Sequence, residues 1–260
     1  MTLVILTALG VGGATVIGAI IGFLFKKISH RFSDVVLSFA AGIMLSAAVL
    51  GLIIPSLDYG GKYGIIVTVI GVFAGAVSLT FVDKLVPHLH RLVGGESAEP
   101  SDSLLGGQSE KSSKLSKVLL FVLAIAIHNL PEGIAAGVGF GSGNDAQALI
   151  IAGGIALQNV PEGMVIIAPM LAAGVSKKKT FICAMATGLV EVVGTMIGYF
   201  AVSVATVILP FALAFAGGTM LYVISDEMIP ETHAHGHERG ATYALIVGFC
   251  VMLVMDVLLG

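Results

Sequence analysis

Two short clusters interrupt an otherwise apolar sequence with residues able to bind a cation: His-Asn-Leu-Pro-Glu-Gly at 128–133 and Gln-Asn-Val-Pro-Glu-Gly at 158–163. His128 and Glu132 stand four residues apart, as do Gln158 and Glu162, so on a helix each pair shares one face. Pro131 and Pro161 have no N–H, which leaves the carbonyls of Ile127 and Leu157 without their usual partners. Both helices are therefore expected to bend and to unwind locally, as backbone lining a membrane cavity or a bound ion can. The Gly after each Glu keeps room beside the carboxylate. One carboxylate at the bilayer centre costs about 2.5–3.5 kcal/mol even on the lenient insertion scale, and two sharing a site cost more. Such a cluster calls for protonation or a bound divalent ion. Imidazole, carboxylate and amide oxygen together suit Zn²⁺, Fe²⁺, Mn²⁺ or Co²⁺ better than Mg²⁺ or Ca²⁺.

The elements that must hold these clusters are membrane helices. Hydrophobic residues make up 57% of the 260 and charged residues only 11%, and the mean hydropathy is +1.02, far from the balance of a soluble domain. Apolar runs of about 20 residues, the length that crosses the hydrocarbon core, recur throughout. The expected spans are 3–25, 34–56, 64–86, 117–140, 146–171, 180–202, 206–229 and 240–259. The fold class is thus an all-α integral membrane protein, eight transmembrane helices in one compact bundle that forms a single domain over 1–260. His128 precedes Gly141 by thirteen residues and Gln158 follows Asp145 by thirteen, so each lies about 20 Å along its helix from the same turn. Antiparallel fourth and fifth spans then bring both clusters to one depth, with the metal site between them. Glu191, about twelve residues into span six from Lys179, reaches a similar level, and Met44 in span two could add a thioether.

Charge orients the bundle. All of the 13 Lys and Arg residues except Lys62 fall on one side of these spans, including Lys26, Lys27, Arg31, Lys177, Lys178, Lys179 and Arg239. The positive-inside rule makes that side cytoplasmic, so both termini are expected to be extracytoplasmic in a multi-pass inner-membrane protein. The Gly-, Ser- and acid-rich stretch at about 94–116 reads as a flexible cytoplasmic loop. Cys183 and Cys250 have no CxxC or similar partner, which argues against a thiolate metal site or a disulfide framework. Glycines four apart, such as Gly18 and Gly22 or Gly71 and Gly75, suit close helix approach.

The two clusters resemble the paired motifs of the ZIP (Zrt/Irt-like) divalent-metal transporters, with H-N-x-P-E-G in span four and a related motif in span five. The Gln-Asn form of the second motif is similar to that of the GufA-like branch, and the resemblance covers the whole chain. It implies metal ligands at His128, Asn129 and Glu132 from span four and Gln158, Asn159 and Glu162 from span five. It likewise implies the acid of span six at Glu191 and the methionine of span two at Met44. Many members carry His or an acid where Gln158 and Asn159 stand, and neutral amides there weaken a second metal site. The family also implies that spans one, four, five and six move against the others.

Topology supplies the rest of a path. Asp58 and Asp256 end spans two and eight on the outer side, where they could collect cations at an entrance. Asp83, Asp226 and Glu227 lie toward the inner ends of spans three and seven, and Glu231, His233, His235 and His237 follow as an exit. Asp226 and Glu227 correspond to a His-Glu pair in the family, so the Asp is a departure. The expected function is uptake of Zn²⁺ or a similar divalent ion, as transported substrate and not as cofactor. The expected partners are that ion and the lipid bilayer, with no nucleic acid and with a homodimer left open. The alternative, an intramembrane metal-dependent hydrolase, lacks HExxH and a serine nucleophile with a base. A carrier of organic solutes lacks a basic or aromatic lining.

Overall fold

The computed structural model describes residues 1–25, 29–85 and 125–259. Eight helices run through them: α1 (Thr2–Leu24), α2 (His30–Tyr59), α3 (Gly64–Leu85), α4 (125–139), α5 (Asp145–Ala172), α6 (Lys177–Val204), α7 (Leu209–Thr232) and α8 (Glu238–Leu259). Seven of them are long and apolar enough to cross a membrane, and α4 supplies fifteen further described residues within the fourth expected span. The protein is an all-α, multi-pass membrane bundle. Its outer face carries exposed Leu6, Ile17, Phe73, Phe81, Ile197 and Val247, an apolar surface that only lipid would cover over such an extent. The loop at about 94–116 lies outside the described residues.

Local sequence explains where the helices begin. Ser29, Asn144 and Ser176 accept the N–H of Phe32, Gln147 and Lys179 and so cap α2, α5 and α6. Pro210 falls in the first turn of α7, where its missing N–H has no partner to lose. Gly143, at φ 74°, makes the left-handed turn that folds α4 back onto α5.

One expectation is corrected. Pro131 and Pro161 sit inside uninterrupted helices, with no unwound backbone at either motif. A proline removes one ladder bond, and tight packing on both sides of each motif holds the turns in place. The irregular turns lie elsewhere. Ala47–Ile53 of α2 and Ile224–Met228 of α7 are π-helical, with Ile54 N–H bonded to Val49 O and Ile229 N–H to Ile224 O. Each widened turn runs into a proline, Pro55 or Pro230, whose ring would collide with a regular α turn behind it.

Glycine contacts divide the helices into two blocks. A Cβ on Gly18 would lie 2.1 Å from Val160 O, on Gly12 2.3 Å from Gly188 O and on Gly133 2.3 Å from Glu191 O. These approaches bring α1, α4, α5 and α6 together backbone to backbone. A Cβ on Gly42 would lie 1.9 Å from Leu245 O and on Gly75 2.2 Å from Phe215 O, joining α2 to α8 and α3 to α7 in the same manner. Between the blocks the glycines meet side chains instead: Gly51 faces Ile151, and Gly154 faces Met252. Gly42→Val is expected to force α2 off α8 and to cost at least the ~1–3 kcal/mol typical of overpacking. Thermal unfolding in detergent measures the loss; an unchanged melting temperature would contradict this packing.

Candidate metal centre

The parallel α4–α6 and α1–α5 contacts fix the depth of the motifs. Gly133 packs on the backbone of Glu191 and Gly163 on that of Thr15, so the residue preceding each glycine, Glu132 or Glu162, is set at mid-bundle. Glu132 is 1% exposed and lies within electrostatic reach of both Glu162 and Glu191, while Glu162 lies within reach of His128. A cavity of about 240 Å³ runs from this level to one end of the bundle. His128, Glu132 and Glu162 line its deep part; Ser29, His30, Asp34, Glu231 and His235 line its mouth.

Four buried oxygens at this depth have no hydrogen-bond partner: Glu132 Oε2, Gln158 Oε1, Asn129 Oδ1 and Asn159 Oδ1. Gln158 lies beside Glu132, yet neither its oxygen nor its nitrogen reaches bonding geometry. Leaving a polar atom buried and unpaired costs about 1–3 kcal/mol, so four together are a large debt for a site with no further purpose. Atoms of this type are the hard and borderline donors that a divalent cation takes.

Glu191 stands behind the two asparagines. Its Oε1 accepts from Thr15 Oγ1 at 2.8 Å and from Asn129 Nδ2 at 2.5 Å, and its Oε2 accepts from Asn159 Nδ2 at 2.5 Å. The second N–H of each amide goes to a carbonyl, Thr187 O for Asn129 and Val11 O for Asn159. Both amide nitrogens are therefore fully used, and their oxygens accept no hydrogen bond.

His128 reaches the other block. Its Nε2 lies 2.8 Å from Glu227 Oε1, in the π turn of α7. At the mouth, His235 Nδ1 lies 3.0 Å from Asp34 Oδ1, and the His235 and His30 rings stack with centroids 4.6 Å apart. Asp34 is 2% exposed, and its Oδ2 has no partner. Among the described residues, no three His, Cys, Asp or Glu side chains converge as a ready-made metal cage. His128 is turned toward Glu227.

Sequence comparison settles the class of protein. Residues 91–256 match the family described as ZIP Zinc transporter. The chain belongs to the ZIP family. It is 37% identical to the zinc transporter GufA of Myxococcus xanthus over 96% of either chain, and 36% identical to the zinc transporter ZIPB of Bordetella bronchiseptica over 95% of this chain and 78% of that one. The human zinc transporter ZIP11 is 31% identical over 95% and 94%. This is a family of transporters, and the hydrolase alternative falls with that membership.

The remaining sequence candidates scatter over this ZIP bundle. Met44 is fully buried in the large apolar cluster and does not line the cavity. Asp58 is exposed at the end of α2 and Asp256 half-buried near the end of α8, at the end away from the cavity mouth. Asp226 is exposed, Glu227 and Glu231 line the cavity, and the side chain of Asp83 lies outside the described residues. His233 folds back onto Ile229 O and Thr242 Oγ1, and His237 is exposed. Sequence reasoning missed His30 and Asp34. Their spacing of four, the same as His128 to Glu132, was the available signal.

Proposed function

We propose that this chain carries Zn²⁺ and chemically similar divalent transition-metal ions into the cell across the inner membrane. The observation that carries the proposal is the set of four unpartnered buried oxygens on Asn129, Glu132, Gln158 and Asn159, of which that of Glu132 belongs to the deep cavity wall shared with His128 and Glu162. A dehydrated cation satisfies those acceptors and offsets the paired carboxylates at once. Zinc in particular accords with the relatives, which are named zinc transporters. In this reading Glu132, Glu162 and His128 hold the ion with the amide oxygens of Gln158, Asn129 and Asn159.

Exposed Lys177, Lys178, Lys179, Arg31 and Arg239 lie at the same end of the bundle as the cavity mouth, which supports a cytoplasmic placement of that end and extracytoplasmic termini. The structure is then inward-facing. Asp58 and Asp256 collect ions outside, and Glu227, Glu231 and His235 receive them inside. The two glycine-packed blocks support the movement: α1, α4, α5 and α6 carry the site, and they slide against α2, α3, α7 and α8 across an interface of side chains.

The test is flux. Purified chain in liposomes that contain a zinc-sensitive dye should show saturable Zn²⁺ influx, reduced by Co²⁺ or Cd²⁺ and indifferent to millimolar Mg²⁺ or Ca²⁺. Influx no greater than in empty liposomes would overturn the proposal.

A further inference from the structure

Glu191 is fully buried at the level of the motifs, and an acid at such a depth invites assignment as a metal ligand. Its surroundings say otherwise. Three donors from three different helices converge on it: Thr15 Oγ1 from α1, Asn129 Nδ2 from α4 and Asn159 Nδ2 from α5. Hydrogen bonds to a carboxylate are roughly twice as strong as neutral ones, and here both oxygens receive them. Neither asparagine can rotate without losing two bonds, one to Glu191 and one to the carbonyl of Thr187 or Val11. The consequence falls on the two amide oxygens. With both nitrogens held back, Asn129 Oδ1 and Asn159 Oδ1 are fixed as bare, buried acceptors.

We infer that Glu191 is a positioning residue, not a metal ligand: it aims the two asparagine oxygens at a single cation, and the amide N–H groups of Asn129 and Asn159 fill the place a second cation would take beside it. Asn159 decides the count. An aspartate at 159 has no N–H, so it would lose the bond to Val11 O and face Glu191 carboxylate to carboxylate. Two such charges in a dry site require a cation between them. The wild-type arrangement needs none, because amide hydrogens already serve the carboxylate.

Two readouts test this. The first is stability without metal, in EDTA. Glu191→Gln sets an amide N–H of the new side chain against a donor, and Asn159→Asp sets two carboxylates together, so each is expected to lower the melting temperature by several degrees. The swapped double variant, Asn159→Asp with Glu191→Gln, again pairs one carboxylate with one amide and should regain most of the loss. The second readout is Co K-edge absorption of Co²⁺-loaded protein. Asn159→Asp should show a metal–metal scattering shell and bind one more ion per chain than wild type, whose spectrum should lack that shell. A metal–metal shell in wild type that Glu191→Gln abolishes would overturn the inference by making Glu191 a bridging ligand. So would an Asn159→Asp variant as stable as wild type in EDTA, or a swapped variant that recovers nothing. The ion count rests on the midplane site proposed above, whereas the metal-free melting temperatures do not. A failure of the transport reading, seen as absent zinc flux, therefore stays separate from a failure here.

Discussion

Replacing Glu132 and Glu162 together by alanine is expected to abolish zinc influx into proteoliposomes while the protein remains folded. Loss of a group that merely orients a metal ligand typically costs about 10–100-fold in affinity or activity, and in the proposed site these two carboxylates are the charged donors themselves, so the drop should exceed that range. Folding should survive because the substitution removes buried charge, and the glycine contacts beside each position, Gly133 on Glu191 and Gly163 on Thr15, involve backbone that alanine at 132 or 162 does not alter. Single replacements should differ. Glu132 is almost fully buried and neighbours both other acids, whereas Glu162 is half-buried on the cavity wall nearer His128. Flux in the double variant at the wild-type rate would remove the proposed site.

An equally large effect is expected from tying the two blocks together. A Cβ built on Gly51 of α2 lies 3.9 Å from the Cβ of Ile151 of α5, inside the range that a disulfide spans. The close contact with the Ile151 side chain disappears when that residue is also cysteine. Gly51→Cys with Ile151→Cys, in a background where Cys183 and Cys250 are replaced, should lose zinc flux on oxidation and regain it on reduction. The matching control lies within one block. A Cβ on Gly139 of α4 falls 3.7 Å from that of Ala148 of α5, and the disulfide there should leave flux nearly unchanged. Influx that persists through a completed Gly51–Ile151 cross-link would contradict movement of one block against the other.

How much of this could be read from the chain depends on the range of the interactions involved. The spans were legible because hydropathy is a local property, and the common depth of the two motifs followed from helical rise and one short turn. Placement of the side chains was not legible. Asn129 and Asn159 look alike in the sequence, yet what fixes them is a carboxylate 62 or 32 residues away and the carbonyls of two other helices. The π turns were not read from the sequence, whereas Pro131 and Pro161, expected to unwind their helices, sit in continuous helix with close glycine packing beside them. Asp34 and its partner lie 201 residues apart. Only the fold brings the α7–α8 turn across to pair His235 with it. The contact between His128 and Glu227 likewise joins two blocks whose meeting no local pattern records.

That contact sets His128 beside Glu227 on the cavity wall, and in the proposed path the ion passes these two before Glu231 and His235 nearer the mouth.

The central claim, one cation held at mid-membrane between α4 and α5, is tested most directly by anomalous scattering from crystals grown with Zn²⁺ and measured at the zinc edge. The account expects a single strong peak at that depth, within about 2.0–2.2 Å of Glu132 and Glu162 oxygens, the ordinary zinc–oxygen distance. Peaks confined to the cavity mouth near His235 and Asp34, with none between the two motifs, would contradict it.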